Sequence, residues 1–141
     1  MTTNTQTPAM GGTNKGLHIG LWVAQILLAI GFGMAGWMKL TMPMAQVAAA
    51  MPGMSEALLR FIGVAEVAGA LGMLLPAATR IYPVLTAWAG IGLATIMVLA
   101  GALHLVRAEF SHLPPVLVLF ALASFVAWGR FKKAPTTPRG N

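Results

Sequence analysis

The sequence predicts an all-α membrane protein: an antiparallel bundle of four transmembrane helices, with a short interfacial helix between helices 1 and 2. Three observations predict it. Apolar runs of about 20 residues, the length that crosses about 30 Å of hydrocarbon, recur along the chain. Charged residues make up only 9% of the 141 residues and hydrophobic ones 57%, whereas a soluble domain carries about a quarter charged residues and needs them to wet its surface. The basic residues stand singly at the ends of the runs, with one cluster near the C-terminus, a pattern that sets topology and meets lipid headgroups.

Each element follows from these runs. The first covers about residues 18–37 and is closed by Lys39. The second covers about residues 57–75 and is ended by Pro76. The third covers about residues 81–103. The fourth covers about residues 115–128, reaches back to Leu113 or beyond, and is followed by Arg130, Lys132 and Lys133. None shows the two-residue alternation of a membrane β-barrel strand, and each is about twice such a strand's length. A helix satisfies its own backbone in lipid, so each run is helical. The first connection, MPMAQVAAAMPGM, is Met- and Ala-rich, and Pro43 and Pro52 separate it from its neighbours, which predicts a short helix at the interface. The other links, AATR and VRAEFSHLPP, are short, so consecutive helices run antiparallel.

Residues 1–16 read as a polar, disordered N-terminal tail, 17–131 as the transmembrane domain and 132–141 as a basic C-terminal tail. The first run is too long for a signal-peptide core of about 7–15 residues and is read as a retained span. Lys15, Arg80, Arg130, Lys132, Lys133 and Arg139 fall on one side, and Lys39, Arg60 and Arg107 on the other. This asymmetry predicts a multi-pass cell-membrane protein with both termini cytoplasmic.

Composition narrows the chemistry. The chain has no cysteine, which excludes disulfides, thiolate catalysis, Fe–S clusters and cysteine-ligated zinc. No basic patch is interleaved with aromatics, so nucleic acid is not an expected partner. No metal site is expected: the three histidines fall on two sides of the membrane. Bis-histidine haem between His104 and His112 stays open, although their eight-residue spacing across a Pro-containing turn matches no recognised pattern.

Glu66 is the most informative residue. It lies about ten residues from either end of the second run, where a carboxylate costs several kcal/mol unless it is paired, hydrated or protonated. Its candidate partners are Lys39, Arg60 and, at similar height, His104. Arg60 precedes it by two turns and is rotated about 120° away, so it could bend to the acid or snorkel to the interface. His104 and Arg107 share a helix face and stand with Glu109 in HLVRAE, either a proton-active or anion-binding cluster or a wet helix end. Glu66, His104, Lys39, Arg60 and Arg107 form the candidate ligand-binding or proton-active set. No catalytic residue is identified. His112 is expected in a loop, and His18 at a solvated interface.

Taken together, AGWMKL (35–40), RFIGVAEVAGALGMLLP (60–76), Arg80 and Pro83, HLVRAE (104–109) and FVAWGR (125–130) resemble the DoxX-like family over about residues 18–131. The resemblance implies a four-helix membrane fold and carries over Lys39, Arg60, Glu66 and His104 as its polar pattern. The family takes its name from a subunit associated with quinone-linked sulfur oxidation, and some relatives are linked to membrane oxidoreductase assemblies. Three expectations follow. One is a non-catalytic membrane subunit, or a binder of a small apolar, quinone-like ligand, with no cofactor in the chain. Another is a membrane subunit of a quinone-linked oxidoreductase using a partner's cofactor. A small oligomeric transporter is a third. The partners to expect are the bilayer, a membrane or peripheral protein, and copies of the chain itself.

Overall fold

The computed structural model describes residues 14–140. The expected disordered tail lies outside the described residues as far as residue 13, and helix has already begun at Lys15. The Asn14 side chain accepts from the Gly16 amide at 3.0 Å and so caps the helix start.

Five α-helices follow: α1 Lys15–Thr41, α2 Met44–Ala50, α3 Glu56–Thr79, α4 Val84–Val106 and α5 Leu113–Trp128. A single 3₁₀ turn, Phe110–His112, precedes α5, and a π-helical turn, Gly129–Lys133, continues it. No strand occurs among the described residues. Four segments are long and apolar enough to cross a membrane: α1, α3, α4 and Phe110–Lys133, at 23 to 27 residues each. At about 1.5 Å per residue each exceeds the hydrocarbon thickness. The long helices close into a ring, α1 against α3, α3 against α4, α4 against α5, and α5 back against α1. The chain therefore enters and leaves at one end, called here the terminal end. Helix α2 lies across the far end against α1 and α3, with Val47 buried.

The helices run farther than the apolar runs. Helix α3 does not stop at Pro76 but continues to Thr79. Pro76 removes one amide donor, yet its fixed φ is helical and membrane helices tolerate the loss. The Thr79 hydroxyl donates to the Leu75 carbonyl at 2.6 Å in the turn that follows. Arg80 then ends the helix in the left-handed region at φ 59°, a position usually given to glycine.

Polarity is inverted relative to a soluble protein. Phe61 and Trp37 are 69% and 63% exposed, while Gln25, Lys39, Glu66, Thr86 and Arg130 are buried. Leu28, Phe32, Met73, Leu93 and Val126 form the apolar centre between these polar groups.

Close crossings depend on small residues. A Cβ on Gly36 would lie 2.7 Å from the Gly63 carbonyl oxygen, and one on Gly63 would lie 2.9 Å from Lys39 Cβ. A Cβ on Gly90 would lie 2.9 Å from the Ala123 carbonyl oxygen. Gly31 and Gly92, which sequence density alone would group with these, have nothing within 4 Å. Gly63→Ala is therefore expected to cost about 1–3 kcal/mol, as overpacking does, and Gly31→Ala almost nothing. Thermal unfolding in detergent checks this; equal midpoints for the two variants would contradict the crossing.

Candidate functional site

The α1–α3 crossing sets the depth of the site. Because Gly36 and Gly63 bring the backbones together, Lys39 near the end of α1 points across at Glu66 on α3. Lys39 Nζ donates to Glu66 Oε2 at 2.8 Å, and both side chains are under a tenth exposed. A second, longer bond runs from Nζ to the Ala35 carbonyl at 3.5 Å. The intramembrane acid is therefore partnered, and its partner is the lysine.

Arg60 does not reach Glu66. Its Nη1 donates to the carbonyls of Lys39 and Leu40 at 2.8 and 2.7 Å, which α1 leaves free at its C-terminal end. Its other contact is Glu56, one turn away at 3.7 Å. Arg60 thus holds the end of α1 against α3 and fixes the height of Lys39.

The cluster at the end of α4 is rearranged relative to the expected shared face of His104 and Arg107. A tight turn, with Ala108 at φ 55°, brings Glu109 back so that His104 Nδ1 donates to its carboxylate at 2.7 Å. That hydrogen bond holds the Glu109 carboxyl below its ordinary pKa. Arg107 turns away and donates to the Pro52 carbonyl, tying the α2–α3 loop to α4. His112 is not in a free loop: the 3₁₀ turn stacks its ring on His104 with centroids 4.8 Å apart and planes within 8°. His104, Glu109 and His112 each offer a ligand-type atom within 4.8 Å of the others. Metal-binding groups thus converge where the spacing matched no recognised pattern.

These groups surround one cavity of about 560 Å³ at the far end, between α3 and α4. Lys39 and Glu66 form its floor, and His104, Arg107, Glu109 and His112 line its polar side. Its remaining walls are apolar, including Met54, Ile62, Ile96 and Met97. Phe61 and Leu99, also lining it, are 69% and 66% exposed on the outer surface, so the cavity opens toward lipid. Four of the five expected residues therefore share one space, and Arg60 stands behind it.

A second polar centre lies at the terminal end. Gln25 Nε2 donates to the Met73 carbonyl at 2.6 Å, and Gln25 Oε1 accepts from Arg130 Nε at 2.7 Å. Arg130 is only 3% exposed. The sequence places it among the charges that set topology and meet lipid headgroups. The available signal was Gln25, a lone amide inside an apolar run. His18, expected to be solvated, is half-buried beside Trp22 and Arg130.

No curated protein and no solved structure matches the chain. The model of the DoxX-like family matches residues 23–126, a stretch that runs from α1 nearly to the end of α5 and includes Lys39, Arg60, Glu66 and His104. Four membrane-crossing helices and a family match over most of the chain make this multi-pass membrane protein a member of the DoxX-like family.

Proposed function

We propose that the chain is a non-catalytic membrane subunit or small-ligand binder that holds an apolar, quinone-like molecule in the cavity between α3 and α4. One observation carries the reading: a buried, oppositely charged pair forms the floor of a cavity that is polar on one side, apolar on its remaining walls and reachable from lipid. The volume, about 560 Å³, is within the range of small-molecule sites, which pair apolar walls with a few placed polar groups. Lys39 can donate to a carbonyl end group while Glu66 keeps it oriented, and the exposed Phe61 and Leu99 leave room for an apolar tail to run into the bilayer.

Native mass spectrometry of gently extracted protein tests this. The wild type is expected to carry a quinone-mass adduct. Glu66→Gln keeps a hydrogen-bonding group but loses the charge, so occupancy should fall about tenfold with the bundle still folded. Bilayer phospholipid as the sole adduct in both proteins would contradict the reading.

A second reading, a membrane subunit of a quinone-linked oxidoreductase assembly using a partner's cofactor, is favoured by the His104–Glu109 pair at the cavity's polar side. Two-electron reduction of a quinone takes up two protons, and these groups can exchange them with water. Co-extraction of a redox partner separates this reading from the first.

The protein lies in the cell membrane with both termini cytoplasmic, because Lys15, Arg80, Arg130, Lys132, Lys133 and Arg139 gather at the terminal end. A C-terminal alkaline phosphatase fusion should be inactive, and an active one would reverse the orientation.

A further inference from the structure

Among the described residues Arg130 is a buried cation with no counter-charge. A guanidinium keeps its proton at any physiological pH, and burying it unpaired is costly. Its partners among the described residues are all neutral: Gln25 Oε1 at 2.7 Å, the Ala134 carbonyl at 3.1 Å and His18 Nδ1 at 3.2 Å. The last of these is weak in kind, because Trp22 Nε1 donates to His18 Nε2 at 3.2 Å and a neutral imidazole has only one acceptor nitrogen. Arg130 Nη2 has no hydrogen-bond partner among the described residues, and neither does the buried hydroxyl of Thr136.

Both residues line a cavity of about 670 Å³ at the terminal end, together with Arg80 and Arg139. The C-terminal segment builds one wall by folding back, with the Arg139 amide donating to the Arg80 carbonyl at 3.0 Å. Three guanidinium-bearing residues thus line one space. The acidic side chains are Glu56, Glu66 and Glu109, all in the far half of the bundle, so no acidic side chain among the described residues neutralises them.

We propose that this cavity binds a phosphate group, held by Arg130 at its base, by Arg80 and Arg139 at its rim, and by the Thr136 hydroxyl. Arginine is suited to it, since the planar fork pairs with phosphate oxygens in bidentate fashion. The phosphate can come from the headgroup of an anionic lipid or from a free anion. The site is separate from the α3–α4 cavity and stands independently of the ligand proposed there.

The test uses the full chain in maltoside micelles, which contain no phosphate. It is titrated with inorganic phosphate, with short-chain phosphatidylglycerol, and with diacylglycerol of equal chain length, which carries no phosphate. Thermal midpoint and tryptophan fluorescence are read together, since Trp22 lies under the Arg130 guanidinium at 5.6 Å. Saturation with the favoured anion is expected to raise the midpoint by about 5 °C. The double variant Arg80→Asn/Arg139→Gln should weaken binding about tenfold or more. Asparagine tolerates the left-handed backbone at position 80, so that variant keeps the turn. Thr136→Val, which removes only the hydroxyl, should weaken binding as well, and it carries the test if the double variant does not fold. A response to phosphatidylglycerol alone assigns a lipid headgroup, and a response to both anions assigns a phosphate group free of its carrier. An equal response to diacylglycerol, or to sodium chloride at matched ionic strength, would overturn the proposal. So would undiminished affinity in the variants.

Discussion

Replacing Glu66 by leucine is expected to cost the bundle about 3–5 kcal/mol, because Lys39 is then left buried and unmatched. Lys39→Met should cost a similar amount by stranding the carboxylate. The double variant Lys39→Met/Glu66→Leu should recover most of that loss, since a buried ion pair and a well-packed apolar pair of similar volume differ little in stability. Glu66→Gln should be milder than Glu66→Leu, because the amide still accepts from Nζ across the 2.8 Å contact. Unfolding of the four proteins in detergent gives the coupling energy directly. Additive single-variant losses, with no recovery in the double, would mean that the two side chains are not paired. The arrangement also explains why the pair sits where it does. The Gly36–Gly63 crossing allows α1 to approach, and Arg60 fastens the end of α1 from the α3 side.

Gln25→Leu has the second-largest expected effect. Gln25 is fully buried and joins three elements, donating to the Met73 carbonyl on α3 and accepting from Arg130 in the π-helical turn. Leucine fills its volume but takes the acceptor from a buried guanidinium that has only neutral partners. The expected loss is about 3 kcal/mol, near the upper range for a buried hydrogen bond to a charged group. It should appear as a lower thermal midpoint and as freer exchange of the amides between Gly129 and Ala134. An unchanged midpoint would show that Arg130 is stabilised by something other than Gln25.

The four spans were legible because hydrocarbon thickness sets a run length that composition alone reports. Their ends were not. An apolar run marks only the stretch inside the hydrocarbon, whereas helical hydrogen bonding continues into the headgroup region, so α1 already begins at Lys15 and α3 runs past Pro76 to Thr79. Glu66 was legible as an acid that needs a partner at that depth. Its choice of Lys39 over Arg60 was not, because helical periodicity gives angles on one helix and not the rotation of its neighbour. The free carbonyls at the end of α1 were the competing claim on Arg60. His112 was read as loop because one 3₁₀ turn, invisible to run-length reasoning, carries it over His104. Arg130 reads from the sequence as a topology and headgroup charge because its position after the fourth run fits that signal equally well. Only the placement of Gln25, 105 residues away in the chain, reveals it as buried.

Photoaffinity labelling decides whether the far-end cavity holds a quinone. An azido-quinone analogue is equilibrated with the protein in vesicles and illuminated, and the labelled peptides are mapped. Label is expected on α3 around Leu58, Phe61 and Ile62 and on α4 around Ile96, Leu99 and Leu103, the walls of the far-end cavity, and is expected to fall about tenfold in Glu66→Gln. Label spread along the lipid-facing stripe of α1 at Ile19, Val23, Ile26 and Ile30, and unchanged in that variant, would contradict binding in the cavity.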